Sequence, residues 1–272
     1  MNRLLTWLLI ALVLAMPLSL LAGRVWLDPF SELSTNALAI LIDLRLPRVI
    51  LAATLGAGLG AAGAAMQGYL RNPLADPGLF GIAPGAALGA VLSFWTGWAA
   101  TAWTLPLFAL VGAALAMALL GLIAGRTGSA MLFTLAGMMI ASLAGALMSL
   151  AISLAPSPFA MSEIVTWLMG ALTDRSWHEV SFAVPLTLAG IAVLMLAGKS
   201  LDALSLGEAA ARSLGVEPRR LQWLMIVGIG LTVGAGVAAA GIIGFVGLIV
   251  PHLLRRFTDQ RPSSLILPSA LV

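Results

Sequence analysis

Cysteine is absent from the 272 residues, and charge is scarce: Asp, Glu, Lys and Arg together make up 9% of the chain. The first absence excludes disulfides and thiolate chemistry. The second excludes an ordinary soluble domain, which carries about 25% charged residues. A chain that is 61% apolar, with a mean hydropathy of +1.06, cannot cover itself with a hydrated surface, so its solvent is lipid. Histidine is rare too: His178 and His252 lie far apart and form no metal cluster. The net charge of +3 is no nucleic-acid signal, because 14 Lys and Arg are few and their positions say more than their sum. What the chain has in quantity is glycine, 29 residues, and proline, 14. In a membrane, small residues let helices approach closely, and broken helices are tolerated where protein covers them.

A transmembrane helix takes about 20 apolar residues, so the uncharged gaps mark the spans. They predict an all-α, polytopic transmembrane bundle that forms a single domain over 1–272. Spans are expected at roughly 4–22, 49–70, 79–95, 105–124, 131–154, 180–198, 221–240 and 242–254. With a cytoplasmic N-terminus, the inner side receives Arg3, Arg71, Arg126, Lys199, Arg212, Arg219, Arg220, Arg255, Arg256 and Arg261. Only Arg24, Arg45, Arg48 and Arg175 fall outside. That bias satisfies the positive-inside rule, and the reverse orientation inverts it. The acidic residues divide almost evenly, with Asp28, Glu32, Asp43, Glu163, Asp174 and Glu179 outside.

Residues 221–254 carry no charge and would make one helix of about 51 Å, against a hydrocarbon core of about 30 Å. Arginines at both ends place both on one side, so the segment crosses twice, with a break near Gly241 or Gly244. The second limb is short, as interrupted spans beside transport pathways often are; one long tilted helix is the competing reading. The N-terminal run resembles a signal peptide in length, but it lacks an A-x-A site and precedes further spans, so it reads as the first helix. Outside the membrane, residues 24–48 form an external segment with an amphipathic piece near 36–43. Residues 199–220 are cytoplasmic. Within them Ser205–Leu214 reads as a short helix capped by Ser205, with Glu208 at capping-box spacing, stopped by Gly215 and followed by Pro218. Alone it is marginal in water, so it should dock. The apolar stretch 164–172 is too short to span.

No ionisable residue sits in the middle of a span, which weakens a proton relay but leaves sodium coupling through backbone carbonyls open. The scattered Ser and Thr have no His, Asp or Lys beside them, which makes a membrane enzyme a poor reading. Gly198-Lys199-Ser200 imitates the end of a P-loop, but the position of the first glycine holds Val193. The chain is thus expected to bind no ATP; energy for active transport would come from another polypeptide. The small-xxx-small pairs Gly56/Gly60, Gly85/Gly89, Gly121/Gly125 and Gly230/Gly234 predict close helix packing.

Four stretches, in this order, resemble the FecCD-type permeases, the membrane subunits of ABC importers for iron–siderophores, haem and cobalamin. They are RLPRVILAATLGAGLGAAGAAMQGYLRNPLADPGLFGIAPGAALGA (45–90), WLMGAL (167–172), ALSLGEAAARSLGV (203–216) and GIIGFVGLIVPHLLRR (241–256). The resemblance implies a type II importer permease fold that pairs with a second permease subunit, the same chain or a paralogue. It also implies a cytoplasmic ABC ATPase that holds ATP and Mg, and a periplasmic or lipid-anchored substrate-binding protein. Besides these the chain meets membrane lipid and no nucleic acid, binds no cofactor of its own, and sits in the bacterial inner membrane. The family has ten spans, and this sequence ends at LPSALV, about where a ninth would begin. By resemblance, Glu208, Ala209, Ala210, Arg212, Leu214 and Gly215 form the ATPase-coupling segment, and Arg45 and Arg48 dock the binding protein. Arginine is suited to that task because its fork matches carboxylates; anchoring to lipid headgroups is the plainer role. Asn72, Pro73, Asp76 and Pro77 form the inner turn, where capping alone would account for them. Gly241, Gly244, Gly247, Pro251 and His252 mark the helix break and pathway, with a structural hydrogen bond expected at His252. Transport would proceed by alternating access at the subunit interface, lined by the fifth and eighth spans. The alternative is a secondary transporter or channel without an ATPase; a membrane scaffold gains nothing from a broken span.

Overall fold

The computed structural model describes residues 2–23, 35–96, 101–126 and 128–272. Arg24, Asp28 and Glu32 lie outside the described residues. All regular structure among the described residues is helical. In chain order the helices are α1 (Asn2–Leu21), α2 (Thr35–Ala39), α3 (Leu46–Leu70), α4 (Ile82–Trp95), α5 (Thr104–Ala124), α6 (Ala130–Ser153) and α7 (Pro158–Leu168). They continue with α8 (Trp177–Ser205), α9 (Glu208–Ser213), α10 (Pro218–Ala240), α11 (Val246–Leu254) and α12 (Pro262–Ala270).

Six segments are long and apolar enough to cross a membrane, where eight spans were expected. The two that fall short are α4, with 14 residues, and α11, with 9. At 1.5 Å per residue they reach about 21 and 14 Å, so neither bridges a 30 Å core alone. Burial sorts the rest: 72% of the apolar window of α10 and 61% of that of α3 is buried, against 22% for α6 and none for α1. The bundle is therefore built around α3 and α10, with α6 and α1 on its periphery.

Two glycines on α3 explain how the short helices are held. A Cβ on Gly60 would stand 1.9 Å from the Ser269 carbonyl oxygen, and one on Gly63 would stand 1.8 Å from that of Gly247. Backbone of α12 and of the start of α11 thus lies directly on α3, a contact that only a missing side chain permits. Gly85 and Gly89 do the same for α4 against Gly112 and Phe108 of α5. Of the other small-residue pairs, Gly121 and Gly125 receive the Trp223 ring, and Gly230 and Gly234 receive Met117 and Ala113. Gly60 is tightly packed but its partner Gly56 faces open space.

Several expected boundaries move. The amphipathic 36–43 piece is not a separate surface segment: α2 continues through a π-helical turn, Ile40–Arg45, into α3. Pro47 follows that turn, and proline has no N–H with which to continue a regular ladder. At the other end of the chain, α8 does not stop at the membrane edge but runs on through Lys199 and Asp202 to Ser205. Gly198-Lys199-Ser200 therefore lies within a helix, not in a loop that could cradle phosphate. Helix α12 starts at Pro262, before the point where a ninth helix was expected.

The ends of the bundle sort as the charges do. At one end the Trp177 indole N–H donates to the Ile42 carbonyl (3.1 Å), and the Trp95 indole donates to that of Leu154 (3.0 Å). At the other, Gln222 donates to the Ser129 carbonyl (3.4 Å) and Arg255 donates to Gln67 Oε1 (2.9 Å). Asp202 there accepts from the Ser263 backbone N–H (2.8 Å) and hydroxyl (2.5 Å). Each of these bonds joins segments that the charge pattern puts on the same side. The end that carries Arg71, Arg126, Arg219 and Arg220 is called the basic end below.

Candidate functional site

The expected break falls where the arithmetic of length put it. Helix α10 ends at Ala240, Gly241 takes φ +76°, and the chain has no regular structure up to Phe245, at φ +67°, before α11 begins. Glycine at 241 is required twice over: its φ is left-handed, and a Cβ would stand 2.4 Å from the Trp167 carbonyl oxygen. That carbonyl belongs to the 167–172 segment, which follows α7. Gly170 lies against the Ile242 backbone, and Ala171 N–H donates to the Ala240 carbonyl (2.8 Å). The apolar stretch too short to span thus closes over the break and satisfies part of its backbone, as a non-helical segment at membrane depth requires.

Beside the break is a cavity of ≈ 300 Å³. Its walls are Leu55 and Leu59 of α3, Val233 and Val237 of α10, the 241–248 segment, and the turn before α4. Asp76 is the one charged lining residue, and its carboxylate is already bonded to the Gly78 N–H (2.7 Å). Apart from Asp76 the side chains that line the cavity are apolar. Gly247 packs on Pro77, so the turn and the break touch. Gln67 locks the assembly: its amide donates to the Leu248 carbonyl (3.1 Å) while its oxygen accepts from Arg255.

Within the turn two of the four expected residues, Asn72 and Asp76, make local hydrogen bonds. Arg71 ends α3 in the left-handed region at φ +51°. Asn72 Oδ1 accepts from the Leu74 N–H (2.9 Å), and Asp76 caps the single turn Pro77–Leu79. Pro77 is buried, whereas Asn72 and Pro73 are exposed. Of the break residues, Gly241 and Gly247 are packed, Gly244 has open space around it, and Pro251 is buried. His252 is exposed and, contrary to expectation, its side chain makes no hydrogen bond among the described residues.

The two candidate docking arginines separate. Arg45 is 9% exposed, and its Nη1 donates to the carbonyls of Leu20 (2.9 Å) and Leu21 (2.8 Å) at the end of α1. A cation there satisfies carbonyls that the helix leaves open and complements its dipole. The guanidinium is therefore turned inward, which contradicts its expected display toward a docked protein; Arg48, one turn on, is exposed.

Helix α9 has only Ala211 buried, while Glu208, Ala209, Arg212, Leu214 and Gly215 are exposed and Ala210 is half-buried. Gly207 (φ +103°) and Gly215 (φ +83°) flank it. The capping box expected from Ser205 and Glu208 does not form. Ser205 is the last residue of α8, its hydroxyl donates to the Asp202 carbonyl (2.6 Å), and Gly207 precedes the short helix. Gly215 does stop α9, and Pro218 opens α10. Leu206 and Leu214, both about two-thirds exposed (68% and 65%), lie at either end of α9 among Arg212, Arg219 and Arg220.

The model of the FecCD transport family matches residues 4–272 of this chain. The chain belongs to the FecCD transport family. This FecCD chain is 40% identical over 271 residues to the vitamin B12 import system permease protein BtuC of Vibrio cholerae, covering 97% of this chain and 80% of the relative. With BtuC of Vibrio vulnificus the identity is 39% over 255 residues, covering 93% and 76%. A solved ABC transporter assigned to the metal-chelate type, in an inward-facing conformation, superimposes with a TM-score of 0.91. It is 31% identical and covers 100% of this chain and 86% of that one. This FecCD chain is therefore a membrane-embedded permease of an ABC importer, not an enzyme.

Three features of the FecCD site were missed in the sequence. The closure of 167–172 over the break leaves no local signal, since it depends on Gly170 and Gly241 meeting. The Gln67–Arg255 bond joins residues 188 positions apart. The third, the aromatic series Tyr69, Phe133 and Phe80, packs with ring centroids 5.3 and 5.5 Å apart. Only a tertiary fold unites these.

Proposed function

We propose that this permease passes cobalamin, or a chelate of similar size, inward across the bacterial inner membrane, with its N-terminus and basic end cytoplasmic. A partner ATPase that holds ATP and Mg drives it through α9. The observation that carries the energetic part is α9 itself, a six-residue helix with one buried residue and with Glu208, Ala209, Arg212 and Ser213 exposed. Such a helix is not stable in isolation, and its geometry suits docking on another polypeptide. The cobalamin reading is supported by the names of the BtuC relatives, and an iron chelate is favoured by the metal-chelate type of the structural neighbour.

The ≈ 300 Å³ cavity is at the lower end of pockets for drug-sized ligands, about 300–1,000 Å³. A corrinoid does not fit inside it, so the passage requires a second permease copy. On α6 the residues Met131, Leu135, Met139, Leu143 and Leu147 recur at four-residue spacing and are exposed, forming an apolar stripe for that partner or for lipid. A substrate-binding protein would approach the opposite end, where Arg48 is exposed. The test is uptake into proteoliposomes that contain the permease, a partner ABC ATPase and a substrate-binding protein. ATP-dependent accumulation of labelled cobalamin, not displaced by ferric siderophore or haem, is expected. Accumulation of a ferric siderophore or haem in its place would overturn the substrate, and uptake without the ATPase would favour a secondary transporter.

A further inference from the structure

Phe245 joins the break to α11, and its backbone is strained. It takes φ +67° and ψ −29°, and the Val246 N–H donates back to the Gly244 carbonyl at 2.9 Å. This is a γ-turn of the rare form, with positive φ at its centre, which a bulky residue adopts only under constraint. The constraint comes from both sides. Upstream, Gly241 packs against the Trp167 carbonyl, and the Ala171 N–H holds the Ala240 carbonyl (2.8 Å). Downstream, Gln67 holds the Leu248 carbonyl (3.1 Å), and the Phe245 carbonyl accepts from the N–H groups of Leu248 (3.1 Å) and Ile249 (2.8 Å). Between these fixed points the ring gains little from packing, since Phe245 is 71% exposed.

A better-packed position lies beside it. Phe245 borders the ≈ 300 Å³ cavity together with Leu55, Val237 and Leu248. An apolar cavity of about 150 Å³ admits benzene, so a phenyl ring fits, and there it gains the dispersion contacts that an exposed ring lacks. The backbone leaves a route. Gly244 has nothing within 4 Å of where a Cβ would stand, so the peptide that links it to Phe245 has room to rotate. Rotation that brings the Phe245 φ to negative values relaxes the turn and re-aims the ring. On the outer side, Phe245, Ile249 and Leu253 are all exposed at four-residue spacing, which places the ring at the end of an apolar stripe along α11.

We propose that Phe245 is a two-position gate residue of the transport cycle. In the position seen in this structure, its ring projects from the break beside the exposed face of α11 and narrows the passage along it. In the other, the ring turns into the ≈ 300 Å³ cavity and clears that face. A strained segment between two fixed points suits such a device, because close-packed elements switch between discrete arrangements and do not deform continuously. The gate rests on the chain being an importer permease, whatever its cargo, with the exposed face of α11 along the passage.

The test uses the importer assembled with a partner ABC ATPase in nanodiscs, with 4-fluorophenylalanine at position 245. Dissolved oxygen broadens the fluorine signal of an exposed ring more than that of a buried one. Two signals are expected, and their ratio should invert between the nucleotide-free assembly and one holding a non-hydrolysable ATP analogue, the minor signal being about 10% or less. A single signal, equally broadened in both conditions, overturns the gate, whether the ring is exposed throughout or covered throughout by a second copy. Gly236 also borders the cavity, and a Cβ there meets only Leu55 Cδ2, at 3.9 Å. Gly236→Leu should therefore occupy the cavity and hold the ring out. In proteoliposomes it should lower ATP-driven uptake of labelled cobalamin roughly tenfold, in proportion to the assemblies still able to switch. In a Phe245→Ala background the same substitution should have no effect, because no ring remains to be excluded. Undiminished uptake in Gly236→Leu, or an equal loss in both backgrounds, overturns the gate. If the wild-type importer does not accumulate cobalamin, the substrate reading fails, and the fluorine signals, read without cargo, still decide the gate.

Discussion

Replacing Gly63 with alanine adds one methyl group at a place where backbone, not side chain, must yield. The new Cβ would stand 1.8 Å from the Gly247 carbonyl oxygen, 2.6 Å from its carbon and 2.7 Å from its Cα. Ordinary contact begins near 3.4 Å, so the start of α11 must retreat by about 1.5 Å. One turn further along the same face, Gln67 holds the Leu248 carbonyl at 3.1 Å and Arg255 at 2.9 Å, and a retreat of that size breaks the first bond. Overpacking costs about 1–3 kcal/mol, and a lost hydrogen bond with a buried partner adds about 1–2 kcal/mol. The expected destabilisation is therefore about 2–5 kcal/mol, together with a distorted cavity wall. Gly56→Ala on the same helix is the control, since nothing lies within 4 Å of its Cβ; alanine there should be neutral, or stabilising by up to about 1 kcal/mol through helix propensity. Reversible denaturation of both variants in mixed micelles measures the difference. Equal stability of the two would refute the contact between α3 and the break.

Arg45→Ala should destabilise the protein by about 2–3 kcal/mol, because it removes a charged donor from two helix-end carbonyls, whereas Arg48→Ala should stay within about 0.5 kcal/mol; thermal unfolding monitored by tryptophan fluorescence separates them. In a binding-protein docking assay the ranking should reverse, with Arg48→Glu weakening the complex while the permease remains folded. The Asp259 carboxyl is held below the usual carboxylate range chiefly by the Ser264 hydroxyl, with the Arg261 backbone N–H and side chain assisting. Its contribution to anchoring α12 is thus present above the unfolded carboxylate pKa of about 3.9 and is lost as pH falls through the lower folded value. Asp259→Asn should reproduce that acid state at neutral pH, seen as faster amide exchange at 262–265.

Charge spacing made the membrane spans legible, and simple length located the break: 34 uncharged residues are too many for one crossing and few for two. The same spacing misplaced helix ends. Charges mark where a membrane surface lies, not where a helix stops, so α8 continues past Lys199 and Asp202, and Asp202 bonds to Ser263 beyond the apolar region. Spacing alone does not make a capping box: Ser176 with Glu179 forms one, and Ser205 with Glu208, at the same spacing, does not. The Ser205 version contains Gly207, whose left-handed φ ends one element and starts another. Arg45 and Arg48 share a short motif yet face different surroundings, because Arg45 lies against the end of α1 and Arg48 does not. The turn at 72–77 was legible down to its caps, since Asn and Asp bond locally. The walls of the cavity were not, because they join segments of the chain far apart in sequence.

The central claim is that α9 transmits the work of a separate ATPase to this permease. The chain has no cysteine, so a single introduced cysteine is the only thiol in the permease. Ser213→Cys, on the exposed face of α9, and Thr101→Cys, at the end opposite the basic one, are each treated with a short thiol–amine cross-linker in the assembled importer. A covalent product with the ATPase from Ser213→Cys alone is the predicted result. A product from Thr101→Cys, or none from Ser213→Cys in an importer that carries out ATP-driven uptake, would contradict the account.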